Sequence, residues 1–499
     1  MNTEDHWTDA RESLNKLLEL LDSPETATYT LEQLEDVVKE KGREVERQVL
    51  QGRLDHQARR ERRAAAVHDT AGVARPHVEA QHVRTLTTVF GEVRFSRLAY
   101  RQRGAANLQP ADAALQLPEE SYSYSLRRLA AIEAARGSYS DAVEAIARAT
   151  HAPKAELHKR QVEELAQRAA QDFDDFYAAT ERPEPASADV LCLSFDGKGV
   201  VMIPEALRSA TAKAAAQTSN KMATRLSQGE KRNRKRMAEV AAVFTVAPVP
   251  RRPEDILGSP GEKRHDQAGP RAADKWVTAS LAEDAATIIA RGFDEAERRD
   301  PEHRSTWLAL VDGNRDQIRY IRAEAKRRKV SVTILVDFIH VLEYLWGAAW
   351  CFFEQGDSNA EKWVLEKGLA VLRGDASIVA AAIRRKATCT KLKPNKRLPA
   401  DRCADYLLHK QPHLDYPAAL RKGWPIATGV IEGTCRHLVK DRMDITGARW
   451  GLQNAEAVLK LRALRTNGDF DRYWSYHLEQ EYQRVHAQRY AAGVAPAAY

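Results

Sequence analysis

Three carboxylates stand at places where a side chain can do chemistry. Asp196 ends the apolar run ADVLCLSF in the stretch SFDGKGV, Asp312 ends TWLALV in LVDGN, and Glu432 lies in GVIEGTCRHLVKDRM, on the first turns of a helix beginning after Pro425 and Gly429. Alone, an aspartate after a strand is a turn residue or helix cap, and a glutamate early in a helix suits the helix dipole. Together, in a sheet whose first and fourth strands are neighbours with that helix crossing beside them, the three converge on one edge. Convergent carboxylates repel one another unless a cation neutralises them, and hard Mg²⁺ or Mn²⁺ takes oxygen ligands. Two such ions about 3.5–4 Å apart activate an attacking oxygen and stabilise a leaving one in phosphodiester chemistry. A fourth acid, Asp337 in ILVDFIH, also ends a strand, and with His340 it forms a DxxH pair on one helical face. Strand counting favours Asp312 over Asp337 as the second ligand, since Asp337 follows the fifth strand, and leaves Asp337 as the alternative.

The elements that must position these groups follow from apolar periodicity. The linker ERPEPASAD, Glu181 to Asp189, separates a helix from a strand and marks a domain boundary. Beyond it VLCLSF reads as a first strand, GKG as a tight turn made by Gly197 and Gly199, VVMI as a second strand and AEVAAVFTVAPV as a third. A helix over about 280–298, the strand TWLALV, the helix DQIRYIRAEAKRR and the strand VSVTILV complete the order β β β α β α β. Asp196 and Asp312 are 116 residues apart and Asp312 and Glu432 are 120 apart, so the second gap must hold an inserted domain; the Ala-, Lys- and Arg-rich helical stretch 341–424 fills it. The reading is a first core part over 189–340, a helical insertion over 341–424, core helices over 425–484 and a frayed tail over 485–499.

The N-terminal third is mainly helical. LNKLLELL, LEQLEDVVKE and EVERQVLQGRLDHQARRERRAAA space apolar residues by three and four, giving a helical arm over 1–80. TLTTVFGEVRFSRLAYR alternates with period two about Gly91 and predicts a β-hairpin. Three helical stretches broken at Gly137 and at HAP follow, and with the hairpin they make a DNA-binding region over 81–181 of helix-turn-helix kind. Its last helix begins beside Lys154, His158, Lys159 and Arg160, cations suited to a groove of duplex DNA. KMATRLSQGEKRNRKRM sets Lys221, Arg225, Lys231, Arg232, Arg234, Lys235 and Arg236 against one acid, Glu230, and such a run neutralises phosphates. Arg436, His437, Lys440 and Arg442 follow Glu432 at helical spacing, and Trp450 in GARWG has a ring able to stack on an unpaired base.

Composition bounds the class. The 499 residues exceed one compact core, and 43% apolar with 29% charged residues is ordinary for a water-soluble globular chain. Five scattered cysteines without a CxxC pair argue against a disulfide framework or zinc ribbon. The 77 Lys and Arg against 70 Asp and Glu leave only +7, so the placement of the cations matters more than their sum. No eighteen-residue apolar run and no signal-like N-terminus occur, so the expectation is a cytoplasmic protein without a membrane partner.

The strand order with this placement of acids is the RNase H-like nuclease and transposase pattern. SFDGKGVVM, LVDGNRDQ, ILVDFIHVLEYLW and GVIEGTCRHLVKDRMDITGARWGLQNAEAVLKLRALRTNGDFDRYW resemble the signature blocks of bacterial insertion-sequence transposases of the ISKra type, distantly similar to Mutator-like elements. The resemblance runs from about Thr85 to the C-terminus. It implies an α/β RNase H-like catalytic core with a mixed five-stranded sheet, and a DDE triad mapping by block onto Asp196, Asp312 and Glu432, which hold two Mg²⁺ or Mn²⁺ ions, with Asp337 and His340 as supports near the site. It further implies double-stranded DNA partners, namely terminal inverted repeats and target, a homodimer or higher assembly, and a bacterial cytoplasm. The rival readings are a nuclease on the same core, acting without strand transfer and in one version RNA-directed, and a domesticated DNA-binding protein without catalysis.

Overall fold

The computed structural model describes residues 6–150, 157–186, 188–217, 234–258, 268–427 and 429–499. The chain divides into two compact units, residues 1–178 with 468–499 and residues 179–467. No described helix is long and apolar enough to cross a membrane.

In the first unit, helix α1 (Thr8–Leu21) precedes the long α2 (Leu31–Arg60). A reciprocal cap starts α2: Gln33 N–H donates to Thr30 Oγ1 at 3.3 Å and Thr30 N–H to Gln33 Oε1 at 2.8 Å. β1 (His77–Thr88) and β2 (Gly91–Gln102) form the anticipated hairpin, with Thr88 opposite Gly91, and β3 (Ala105–Leu108) pairs on the far side of β2. Leu54 of α2 joins Leu86, Val93, Phe95 and Leu117 in the core beneath this sheet. Helices α3 (Tyr124–Arg136), α4 (Tyr139–Ala149) and α5 (Lys159–Ala169) follow, with Ser123 and Ser138 capping the first two.

The C-terminal helix Phe470–Val485 lies in this first unit, although its sequence follows directly on the core blocks. Buried ion pairs account for this. Arg127, fully buried on α3, donates to Glu481 at 2.7 Å and also pairs with Glu120. Asp172 accepts from Arg484 at 2.9 and 3.0 Å and meets His477 Nδ1 at 2.6 Å. Residues 485–499, read as a frayed tail, are instead packed: Tyr490 and Ala498 are buried, and the Arg62 N–H donates to Ala498 O at 2.8 Å.

The second unit is built on a mixed five-stranded sheet: β4 (Val190–Val201), β5 (Lys235–Val246), β6 (Ala272–Ser280), β7 (Thr306–Val311) and β8 (Val332–Val336), in the order β6-β5-β4-β7-β8. β5 runs antiparallel to β4 and β6, while β7 is parallel to both β4 and β8. One expectation is overturned here. SFDGKGVV is not a hairpin; Gly197 and Gly199 are ordinary extended residues opposite Glu239 and Met237 of β5. Their missing side chains make room instead of a turn, since a Cβ on Gly197 would come within 2.9 Å of Met237 Cε and one on Gly199 within 2.9 Å of Lys235 Cδ. The expected second and third strands therefore become the end of β4 and the whole of β5, and the third antiparallel strand is β6, AADKWVTAS. Its charged first half hides it from a periodicity reading.

Helix α6 (Ala285–Arg299) packs on the sheet through Ile288, Ile289, Phe293 and Ala296, with Gly292 against the Phe195 ring. Helices α7 (Arg315–Arg328) and α8 (Phe338–Ala349) follow β7 and β8, and α9 (Ser358–Leu372), α10 (Ala376–Cys389) and α11 (Pro394–Lys410) form the helical insertion. Both sheet edges are covered. Tyr416 O–H donates to Val336 O on β8 at 2.8 Å, and the Asn467 amide, ending α12 (Leu452–Thr466), pairs with Val277 N–H and C=O on β6 at 2.8 and 3.0 Å.

Burial raises the Asp172 carboxyl, but its hydrogen bonds from His477 and Arg484 outweigh that and hold it below its usual range. A depressed carboxylate stabilises the fold above its unfolded value, about 3.9, and that stabilisation is lost as pH falls through the folded value. Asp172→Asn is therefore expected to cost about 3 kcal/mol at pH 7, read by denaturant unfolding. The gap from wild type should close as the pH is taken below about 4.

Candidate metal centre

Parallel pairing sets three aspartates side by side. Every β4–β7 pair, from Val190 with Thr306 to Ser194 with Leu310, is offset by 116 residues, and continuing it by two brings Asp196 level with Asp312. Every β7–β8 pair, ending at Val311 with Val336, is offset by 25, and one more step brings Asp312 level with Asp337. The Asp337 N–H donates to Val311 O at 2.8 Å, so the ladder continues to that point. Asp196, Asp312 and Asp337 thus occupy one row, at the carboxyl ends of β7 and β8 and at the point where β4 runs on past them beside β5.

Each is held by its local backbone. Asp196 Oδ1 accepts from Gly197 N–H at 2.7 Å, and Asp312 Oδ1 accepts from Asn314 N–H at 2.7 Å in a turn that Gly313 closes at φ +92°. Asn314 in turn caps α7. Asp337, fully buried, caps α8 by accepting from Ile339 N–H at 2.6 Å.

Glu432 reaches the row from a single helix running from Gly429 to Met443, whose middle, Cys435–Lys440, is π-wound. Such widened turns occur mostly as short insertions at functional sites. Four contacts locate this helix. Phe338 N–H donates to Ile426 O at 2.8 Å, tying its approach to the Asp337 cap. The Cys435 thiol donates to Asp196 Oδ2 at 3.2 Å, one turn from Glu432. Trp450 exchanges backbone hydrogen bonds with Val201 and Ile203 at 3.1 and 3.0 Å, docking the following loop on the end of β4. Arg462 of α12 donates to Leu438 O at 2.8 Å and to His437 O, carbonyls of the π-wound turn.

One oxygen each of Asp337 and Glu432 and one ring nitrogen of His340 lie within 4.8 Å of one another, an arrangement that could hold a metal ion. Burial raises the exposed-side Glu432 carboxyl, and the charges of Asp337, Glu343 and Asp196 add to this while His340 opposes it. Burial lowers the His340 imidazole, but its contact with Glu343 at 3.0 Å and the charges of Asp337 and Asp312 raise it further. Burial and the Asp196 charge push the Cys435 thiol far up, so it stays a protonated donor. The second acid of the sequence reading, Asp312, is in the row, whereas the group closest to Glu432 contains Asp337 and His340.

The cations fare differently. Lys154, Lys221, Arg225, Lys231 and Arg232 lie outside the described residues. His158, Lys159 and Arg160 open α5 and are exposed, with Arg160 paired to Glu164 at 3.0 Å. Lys235, Arg436 and Lys440 are exposed and Arg234 is half-buried. Three expectations are corrected. Arg236 is spent inside the fold, donating to Leu281 O at 2.6 Å and Ala206 O at 3.0 Å. Arg442 is 2% exposed, its guanidinium 4.6 Å over the Trp450 ring. Trp450 itself is 5% exposed and donates Nε1–H to Met443 O at 3.0 Å, so its ring packs the loop against the helix and is not offered to a base. Cys435, Tyr406 and Lys410, which the reading of motifs passed over, all border the row; only Cys435 had a signal, its three-residue spacing from Glu432.

Mn²⁺ is expected to raise the thermal unfolding midpoint of the wild-type chain in a concentration-dependent way, and Glu432→Gln should abolish the shift. Cys435→Ala, which removes a donor that orients Asp196, should weaken Mn²⁺ affinity about 10-fold, while Cys435→Ser retains the donor and the affinity. No protein-family model matches the sequence. No curated protein matches it. Among solved structures the chain is similar to the "Drosophila P element transposase strand transfer complex", at 10% identity and a TM-score of 0.22 over 76% of this chain and 82% of that one, a likeness too low to carry an argument.

Proposed function

We propose that this chain is a DNA transposase with an RNase H-like core, which cuts and joins strands at the row of carboxylates. The observation that supports the reading is the alignment of Asp196, Asp312 and Asp337 across β4, β7 and β8, with Glu432 brought against them by a helix bonded to Asp196. The donors suit hard divalent ions: carboxylate oxygens with one imidazole, in a site where burial and then the neighbouring acids raise the Glu432 carboxyl. Asp196, Asp312 and Glu432 are the proposed ligands for Mg²⁺ or Mn²⁺, with Asp337 and His340 at Glu432 as the supporting pair or as the second ligand in place of Asp312. Ions held there supply Lewis acidity to the phosphoryl oxygens and to the attacking and leaving oxygens.

The chain's own residues bind and orient. Arg436 and Lys440 follow Glu432 at four-residue steps on the exposed side of its helix, where they neutralise phosphates beside the reacting one. Lys235 adds a cation at the start of β5, and the exposed cations opening α5 suit recognition of the element's terminal repeats. Two DNA ends must be brought together for transfer, so the working form is a homodimer or larger.

Purified protein with Mg²⁺, a labelled terminal-repeat oligonucleotide and a target plasmid is expected to yield cleaved and joined products. Asp196→Asn and Glu432→Gln should abolish both. Of Asp312→Asn and Asp337→Asn, the one removing a ligand should be inactive, and the one removing a support should retain activity lowered about 10–100-fold. Cleavage with no joined product would replace the proposal with a nuclease, and binding without cleavage would replace it with a DNA-binding protein.

A further inference from the structure

A cleft lies on the far side of Asp312 from Asp196, between the β7–α7 turn and the insertion helix α11. It has two adjoining hollows of about 400 and 420 Å³ that share Asp312, Tyr344 and Arg402 as walls. Arg315 and Lys410 line the second hollow. Lys410 is 8% exposed, and its stem passes Gly313 so closely that a Cβ there would lie 3.4 Å from Lys410 Cε. Among the described residues its ammonium makes no ion pair or hydrogen bond, and neither do the guanidiniums of Arg315 and Arg402. The ammonium is not sealed in the protein but opens into this hollow, where an entering anion can meet it.

The acids that could compensate are engaged. Asp405 pairs with Arg384 and Glu343 contacts His340, while Asp312, whose charge also reaches Lys410, belongs to the row. Beside the cations stands a ring platform. Tyr344 is 39% exposed and lines both hollows, while one face is stacked on Tyr406 with centroids 3.9 Å apart and planes 16° apart. Tyr406 is in turn anchored by its O–H, which donates to Asp312 O at 2.9 Å. A pre-stacked ring with a free face, next to three unpaired cations, matches a flat base joined to a phosphate.

We propose that this cleft is a subsite for one unpaired nucleotide of the DNA strand next to the cut, its phosphate on Lys410, Arg402 and Arg315 and its base on Tyr344. The inference rests on the reading of this chain as a DNA strand transferase. It gives the helical insertion a role in substrate binding: α11 supplies two of the cations and α8 the ring.

The test is equilibrium binding in Ca²⁺, followed by fluorescence anisotropy, of a dye-labelled duplex with a short thymidine overhang against the same duplex with blunt ends. Wild type should favour the overhang. Lys410→Met, which keeps the aliphatic stem, and Arg402→Gln should each reduce the log–log salt slope for the overhang duplex by about 1. Tyr344→Leu should lose roughly tenfold in overhang affinity and Tyr344→Phe should restore it, with blunt-duplex affinity unchanged in all four variants. Equal overhang affinity in wild type and variants of unaltered thermal stability would overturn the proposal. Free thymidine monophosphate competing as well as the overhang strand would overturn its assignment to a strand. Failure of the transposase reading appears only as missing joined products, and failure of the subsite only in overhang affinity.

Discussion

Parallel, in-register pairing of β4, β7 and β8 is the constraint from which the rest of the second unit follows. Strands about 4.8 Å apart cannot carry three aspartates at one level without bringing like charges together. At an effective dielectric of 20, each neighbouring pair at roughly 5 Å costs about 3 kcal/mol. The fold meets part of that cost locally, through backbone N–H groups donated to each carboxylate by Gly197, Asn314 and Ile339. The remainder favours a cation, and the Glu432 carboxyl is raised by its burial together with the charges of Asp337, Glu343 and Asp196.

A fourth carboxylate adds to the repulsion, so the helix carrying it must be held from outside. The approach segment is bonded to Phe338, the thiol of Cys435 to Asp196, the loop at Trp450 to the end of β4, and Arg462 to the carbonyls of the π-wound turn. These contacts come from three separate elements and converge on one short helix. Trp450 and Arg442, whose types suggest nucleic acid, serve this clamp. Burial and mutual contact consume them, just as Arg236 is consumed by the carbonyls of Leu281 and Ala206.

How much was legible in the sequence differs from element to element. Strands β4 and β7 could be read because each holds a continuous apolar run leading into an acid, the pattern of a strand buried on both faces, and β8 because its ILV leads into Asp337 in the same way. The N-terminal hairpin could be read because Gly91 interrupts a clean period of two. β6 could not, because its first half faces outward with Asp274 and Lys275 and only Trp276–Ser280 is buried. The double glycine of SFDGKGV misled for a physical reason: glycine signals a turn when φ is positive, but here it signals a close approach of side chains from the neighbouring strand.

By itself the sequence determined which acids follow directly on apolar strand-forming runs, and it determined that an insertion must separate Asp312 from Glu432. Only the tertiary structure decided which acids become neighbours. Level depends on strand offset, a property of pairing between segments 116 and 25 residues apart, and no local pattern encodes it. The same holds for Cys435 against Asp196, for Lys410 and Tyr344 beside Asp312, and for the C-terminal helix held in the first unit by Arg127 and Asp172. Each brings together residues far apart in the chain, and which groups meet is fixed only once the elements between them have packed.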